Sequence, residues 1–255
     1  MRPNKIKEMW KQGRPVTAGW ISSGSPYVAE AMANAGYDAL IIDMQHGMGV
    51  TPDVAIACLQ AISTTETVPM VRMAWNDPKE IQFVLDAGAY GIIVPLVNNH
   101  EDAVRAAGAS RYPPLGYRSL GPNRARFYGG PDYLQHANDE IIVLVMIETM
   151  EAVDNLDVIA KVPGIDGFYI GPGDLAVSLG LTPGPTAVQD PRHAGACQRV
   201  LDVAKDTGLV PCHHGSNAEE AVRLYAQGFM MCQLGSDMNM LNAAAAAAVR
   251  TVSAS

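Results

Sequence analysis

Residues 84–95, VLDAGAYGIIVP, end an amphipathic stretch, pass a glycine and enter a short apolar run. The same junction recurs at 31–43 (AMANAGYDALIID), 160–172 (AKVPGIDGFYIGP) and 223–235 (RLYAQGFMMCQLG). Glycine after a helix supplies the left-handed cap that turns the chain into a strand. Four copies of one junction predict that helices and strands alternate along the chain.

Working outward, eight apolar runs read as strands: 16–22, 39–43, 68–72, 91–95, 141–148, 167–170, 209–212 and 229–235. Most are apolar at successive positions and bounded by Gly or Pro, as parallel strands buried on both faces are. Helices read at 26–35, 52–63, 78–87, 99–110, 150–160, 191–207 and 217–227, several opening with Pro, which suits a first helical turn. A last helix follows Asp237, with Ala243 to Ala248 as its small-residue core. Eight βα units in 255 residues come to about 30 residues each, the repeat of a (β/α)8 TIM barrel. The expectation is one α/β barrel domain over 1–255; a doubly wound sheet is the competing arrangement. Residues 111–140 break the rhythm with turns and arginines but no strand. A loop of this length is usually functional, and we expect it over the C-terminal face, where barrels build active sites.

Composition narrows the function. Hydrophobic residues make up 48% and charged residues 17%, ample for a core. Lys and Arg total 18 against 26 Asp and Glu, a net charge of −8, which argues against nucleic-acid partners and an electrostatic membrane anchor. No apolar run reaches the roughly 20 residues of a membrane span, and no secretory h-region opens the chain. A cytoplasmic protein is expected. Cys58, Cys197, Cys212 and Cys232 form no CxxC and read as reduced, mostly buried thiols. Only Cys212, beside His213 and His214, is a candidate for redox or metal chemistry.

In a barrel, catalytic residues stand at strand C-termini. The second strand ends in Asp43, followed closely by His46. The third ends in Arg72, the fifth in Glu148, the sixth runs into GPGD at 171–174, and the seventh into His213. The barrel gathers these ends into one basin. Glu148 and Asp174, on adjacent strands, either cap the helices after them or repel each other until a proton or a cation intervenes. Oxygen-only ligation with open positions suits Mg²⁺ or Mn²⁺, with Co²⁺ also able to enter. The amides of Gly173 and Asp174 would receive a substrate carboxylate, unless GPGD is only a tight turn. Asp43 would orient His46 as a general base, the alternative being a histidine packed at a helix start. Arg72 needs an anionic partner, either a carboxylate of the protein or a substrate oxygen that gains charge.

Together these parts suit enolate chemistry beside a carboxylate, with a metal chelated by a 2-oxo acid and holding its enolate. No Lys stands at a strand end for a Schiff base, and no GxSxG, GxGxxG or P-loop signature is present.

Five segments carry a resemblance: GWISSGSPYVAEAMANAGYDALIIDMQHG (19–47), VPMVRMAWNDPKEIQFVLDAGAYGIIVPLVN (68–98), ASRYPPLGYRS (109–119), MIET (146–149) and GFYIGPGDLAVSLG (167–180). Together they resemble the class II pyruvate aldolases of the HpcH/HpaI type, from about residue 16 to 240. The resemblance implies reversible aldol cleavage of 4-hydroxy-2-oxo acids to pyruvate and an aldehyde. It implies a homohexamer, a trimer of dimers, whose C-terminal helix is exchanged between paired subunits. It implies metal ligation by Glu148 and Asp174, keto-oxygen contact by Arg72, and acid–base work by His46 with Asp43. It also implies that Asp86 acts in a neighbouring subunit's site, and that Ser236–Asp237–Met238 presents an aldehyde-contacting surface to a partner. Met146 stands where many relatives carry Gln, and GMGV at 47–50 departs from their usual continuation.

Two other readings compete. A malyl- or citramalyl-type acyl-CoA lyase would use similar chemistry, with Arg111, Arg118, Arg124 and Arg126 as a phosphate-binding surface. A barrel that binds a small anion without turnover would leave costly polar strand ends unused.

Overall fold

The computed structural model describes residues 1–253. Eight parallel strands close a barrel in chain order: β1 (Val16–Ile21), β2 (Ala39–Asp43), β3 (Val68–Arg72), β4 (Gly91–Val94), β5 (Ile142–Ile147), β6 (Gly167–Ile170), β7 (Val210–His213) and β8 (Met231–Ser236). The four junction glycines behave as the sequence predicts. Gly36, Gly88, Gly164 and Gly228 have φ of +96°, +103°, +93° and +111°, a region that side chains rarely tolerate. Helices Pro26–Ala33, Pro52–Ile62, Pro78–Asp86 and Pro191–Thr207 open on Pro, capped by Ser25, Thr51, Asp77 and Asp190. The helix expected at 150–160 breaks into Met150–Asp154 and Leu156–Ile159.

Strand register decides which side chains face the axis. Paired residues on parallel strands share a face, and residues two apart along a strand return to it. Met146 pairs with Tyr169, Tyr169 with Cys212, and Cys212 with Met231. Fully buried Ile41, Met70, Ile93, Leu144, Cys212 and Met231 fill the barrel.

Helices Lys5–Lys11, Pro172–Ser178 and Pro185–Val188 were not among the expected elements. Helix Lys5–Lys11 buries Ile6 and Met9 under the barrel, with Asn4 as its cap. The Asn4 amide donates to the carbonyls of Tyr90 and Glu140 at 3.2 and 2.8 Å, closing the N-terminal end.

Residues 111–140 lie at that same end, not over the C-terminal face as expected. Helix His100–Ser110 has already carried the chain back down the barrel, so residues 111–140 form a helix-to-strand connection. The segment holds two short helices, Ala125–Gly129 and Tyr133–Glu140. Three of its four arginines, Arg111, Arg118 and Arg124, are engaged within the fold, while Arg126 is exposed. Arg111 is 2% exposed and donates to the carbonyls of Gly164, Asn138 and Ile141 and to Asp166. Arg118 pairs with Asp86 at 2.7 Å, bonds the Tyr133 hydroxyl and lies over the Tyr112 ring. Arg124 bonds the Ala87 carbonyl and the Ser63 hydroxyl.

The last helix, Asp237–Ser253, buries only its first residue and leaves Leu241 and Val249 60% and 66% exposed. Among the described residues no helix is long and apolar enough to cross a membrane.

Removing one partner of a buried ion pair typically costs about 3–5 kcal/mol. Arg111→Met therefore lowers unfolding stability by about 3 kcal/mol or more, read by urea denaturation. An unchanged midpoint would show that the segment does not brace the barrel floor.

Candidate active site

The C-terminal ends of the strands converge on a cavity of ≈ 230 Å³ lined by His46, Arg72, Met146, Gly171, Pro172, Gly173, Asp174 and His214. The register aligns Asp43 with Arg72 on neighbouring strands. Asp43 accepts from Arg72 Nε at 2.8 Å and Nη2 at 2.6 Å, and from the Trp20 indole N–H at 3.1 Å. Burial pushes this carboxyl up, but the hydrogen bond and charge of Arg72 prevail, with Trp20 and the His46 amide assisting, and hold it below the usual range. Arg72, 7% exposed, also lies 4.8 Å from the Trp20 ring. Nε and Nη2 are committed to Asp43, and among the described residues no hydrogen bond is made by Nη1.

This corrects the pairing expected for Asp43. Its carboxylate reaches His46 only through the backbone N–H, at 3.2 Å. The side chain of His46 is exposed at the rim. The anionic partner that Arg72 requires is Asp43.

Glu148 follows β5 and is 2% exposed. Its Oε1 accepts the Leu96 N–H at 2.8 Å. Leu96 holds φ +52°, a left-handed conformation that costs a non-glycine residue about 1–2 kcal/mol. That backbone strain turns the amide toward the carboxylate, as strain at a functional site often does. Gly171 makes room for Glu148: a Cβ there would lie 2.5 Å from Oε2. Burial, together with the charge of Asp174, raises Glu148 to about 7, against the Leu96 hydrogen bond and Arg72. The two carboxylates thus feel each other, as their adjacent strand ends imply. Asp174 sits in the first turn of helix Pro172–Ser178, exposed to the cavity. A Cβ on Gly173 would meet nothing within 4 Å, so packing does not demand this glycine. Among the described residues no group of three or more His, Cys, Asp and Glu converges to hold an ion, so a metal would rest on Glu148 and Asp174 with oxygens from substrate and water.

β7 is off by one residue from its expected role. His213 packs on Phe229 outside the barrel, while His214 faces the cavity. The His214 ring stands edge-on to Trp20 at 4.7 Å, with Nδ1 3.4 Å from the Tyr169 hydroxyl. Burial, with Arg72 next, lowers its pKa to about 3. Sequence reasoning missed Trp20, Tyr169 and His214. Their signal is parity, since each falls on the inward face of its strand. Cys212 and His213 point apart for the same reason and form no joint site; all four cysteines are free.

Asp86 lies at the far end of the barrel, paired with Arg118, outside this chain's own cavity. Arg111, Arg118 and Arg124 are engaged at that end too, so they make no phosphate-binding surface at the mouth. Asp237 accepts from the Ser22 and Ser23 backbone N–H groups and the Ser22 hydroxyl.

The barrel gathers acidic, basic and amide groups at its C-terminal mouth, where enzymes of this fold build their active sites. The chain belongs to the HpcH/HpaI aldolase/citrate lyase family, whose model matches residues 17–244. It is 42% identical over 243 residues to a hydroxypyruvate/pyruvate aldolase of Rhizorhabdus wittichii, covering 95% of this chain and 96% of that one. It is 39% identical over 247 residues to a 4-hydroxy-2-oxo-heptane-1,7-dioate aldolase of Escherichia coli, covering 96% and 93%. A crystal structure of a family protein from Burkholderia cenocepacia superposes with a TM-score of 0.90 at 32% identity, covering 98% and 99%.

Asp43→Ala leaves Arg72 buried without a counter-charge, which typically costs about 3–5 kcal/mol. The variant's urea midpoint falls accordingly at pH 7. A loss below about 1 kcal/mol would mean that solvent already neutralises Arg72.

Proposed function

We propose that this protein is a divalent-metal-dependent aldolase that reversibly cleaves 4-hydroxy-2-oxo acids to pyruvate, or a related 2-oxo acid, and an aldehyde. One observation carries the reading: the Glu148–Asp174 pair repels itself beside an Arg72 whose charge is committed to Asp43. A buried acid raised to about 7 next to a second carboxylate is a site that gains by taking a cation. The donor set is oxygen alone, which fits Mg²⁺ or Mn²⁺. When bound, the ion supplies Lewis acidity at the keto oxygen of the 2-oxo acid.

The rest is work for the chain's own groups. The free amides of Gly173 and Asp174 hold the substrate carboxylate at the start of their helix. Arg72 Nη1, steered by Asp43, donates to the keto oxygen as charge develops there. His46, exposed at the rim, exchanges protons with substrate and solvent. Asp86 works in a neighbouring subunit's site from the opposite end of its own barrel. That role fits a homohexamer in which the last helix leaves its own barrel for a partner's, and its exposed Leu241 and Val249 support such an exchange. The small-molecule chemistry and the acidic charge agree with work in the cytoplasm.

Purified protein with Mn²⁺ in deuterated buffer exchanges the methyl protons of pyruvate, followed by NMR. Chelator stops the exchange, and Glu148→Gln slows it about 10²–10³-fold. Exchange that ignores both treatments would refute the metal assignment.

The raised pKa of Glu148 also couples folding to pH. Between the unfolded value of 4.5 and the folded value of about 7, the native state keeps a proton that the unfolded state has released. Stability of chelator-treated protein therefore falls as pH rises through this window, by on the order of 3 kcal/mol, and Mn²⁺ restores it at pH 8. Glu148→Gln flattens the profile. An equally steep profile in that variant would assign the proton to another group.

A further inference from the structure

The groups assigned to the 2-oxo acid are Glu148 after β5, the Gly173–Asp174 turn after β6, and Arg72 on β3. His214, after β7, lines the same cavity and is not among the groups assigned to the 2-oxo acid. At ≈ 230 Å³ the cavity is smaller than the roughly 300–1,000 Å³ of drug-sized pockets, and it suits fragments of a few carbons.

The ring of His214 is fixed in direction and in tautomer. Trp20 sets its plane, edge-on at 4.7 Å. Tyr169 is fully buried and must place its hydroxyl proton; among the described residues the acceptor bonded to it is His214 Nδ1. With the Tyr169 hydroxyl donating, Nδ1 accepts, the proton of the neutral ring sits on Nε2, and Nε2 is the ring nitrogen left for the cavity that His214 lines. Burial and the positive charge of Arg72 keep the ring neutral, so it remains a donor of one hydrogen bond.

We propose that His214 is a specificity-determining residue whose Nε2–H binds an oxygen on the aldehyde partner, so that the site prefers short aldehydes hydroxylated next to the carbonyl. This rests on the aldolase reading above. A polar group built to bond a substrate hydroxyl penalises the analogue that lacks it, because the donor is then left unpaired. Tyr169 is a positioning residue, acting through His214.

The test compares glycolaldehyde with acetaldehyde, equal in carbon count and differing by one hydroxyl, as acceptors for pyruvate with Mn²⁺. Wild-type protein shows the higher kcat/KM with glycolaldehyde. His214→Leu lowers the glycolaldehyde-to-acetaldehyde ratio of kcat/KM by about 10–100-fold, and His214→Gln, which keeps a donor, recovers part of it. Tyr169→Phe releases the tautomer and lowers the ratio by about 3–10-fold, which decides the matter should the leucine variant not fold. A wild-type ratio near unity, or a ratio unmoved in these variants, overturns the proposal. Pyruvate proton exchange by the wild type, measured without aldehyde, separates the two readings: its absence refutes the aldolase itself, whereas its presence with no acceptor discrimination refutes only the role of His214.

Discussion

A guanidinium sealed in a barrel mouth has to be neutralised, and Asp43 does this for Arg72 across one rung of the sheet. The pair sets the electrostatics of everything around it. Asp43 is spent on Arg72, so it cannot also grip the imidazole of His46. Arg72 is held by two of its three nitrogens, so only Nη1 is left for a ligand. The positive charge is balanced locally, so Glu148 and Asp174 gain little from it. Burial and mutual repulsion therefore govern Glu148, which the Leu96 amide and Arg72 offset only in part. An acidic pair left in this state is what the proposed cation would relieve.

The two ends of the barrel use their arginines differently. At the mouth, Arg72 keeps an unpartnered nitrogen beside a cavity. At the floor, Arg111 satisfies three carbonyls and a carboxylate, and Arg118 is enclosed by Asp86, Tyr112 and Tyr133. The carbonyl bonds of Arg111 brace backbone; they do not wait for a ligand. The same contrast weighs against phosphate recognition by residues 111–140, whose buried cations already have partners.

Legibility in the sequence followed physical scale. The barrel was readable because its signal is local and repeated: a glycine forced into positive φ, then an apolar run. Asp43, Arg72, Glu148 and Asp174 were readable because each is the polar residue that ends or closely follows such a run. The partner of Asp43 was not, because proximity along the chain favoured His46 while the register brought in Arg72, 29 residues away. Placing 111–140 over the mouth failed on direction, since the helix before it reverses the chain. His213 was singled out over His214 for want of a parity count along β7. Trp20 reads as core in any strand, and only the closed barrel aims its N–H at Asp43. The helix Lys5–Lys11 did carry a signal, a capping Asn4 followed by Ile6, Met9 and Trp10, but it precedes the first junction and lies outside the repeating pattern.

Two histidines border one small cavity, and their surroundings differ. His46 stands at the rim on a turn held by Asp43 through its backbone, with its ring open to water. His214 is less exposed, with one nitrogen beside the Tyr169 hydroxyl, its ring edge-on to Trp20, and a nearby cation that opposes a second proton. It cannot cycle protons at neutral pH, but it presents one donor in a fixed direction at no cost of reorganisation. Proton transfer favours the mobile, hydrated group; recognition favours the fixed, neutral one. In the proposed reaction one residue type would serve both purposes, His46 from the exposed rim and His214 from the cavity wall.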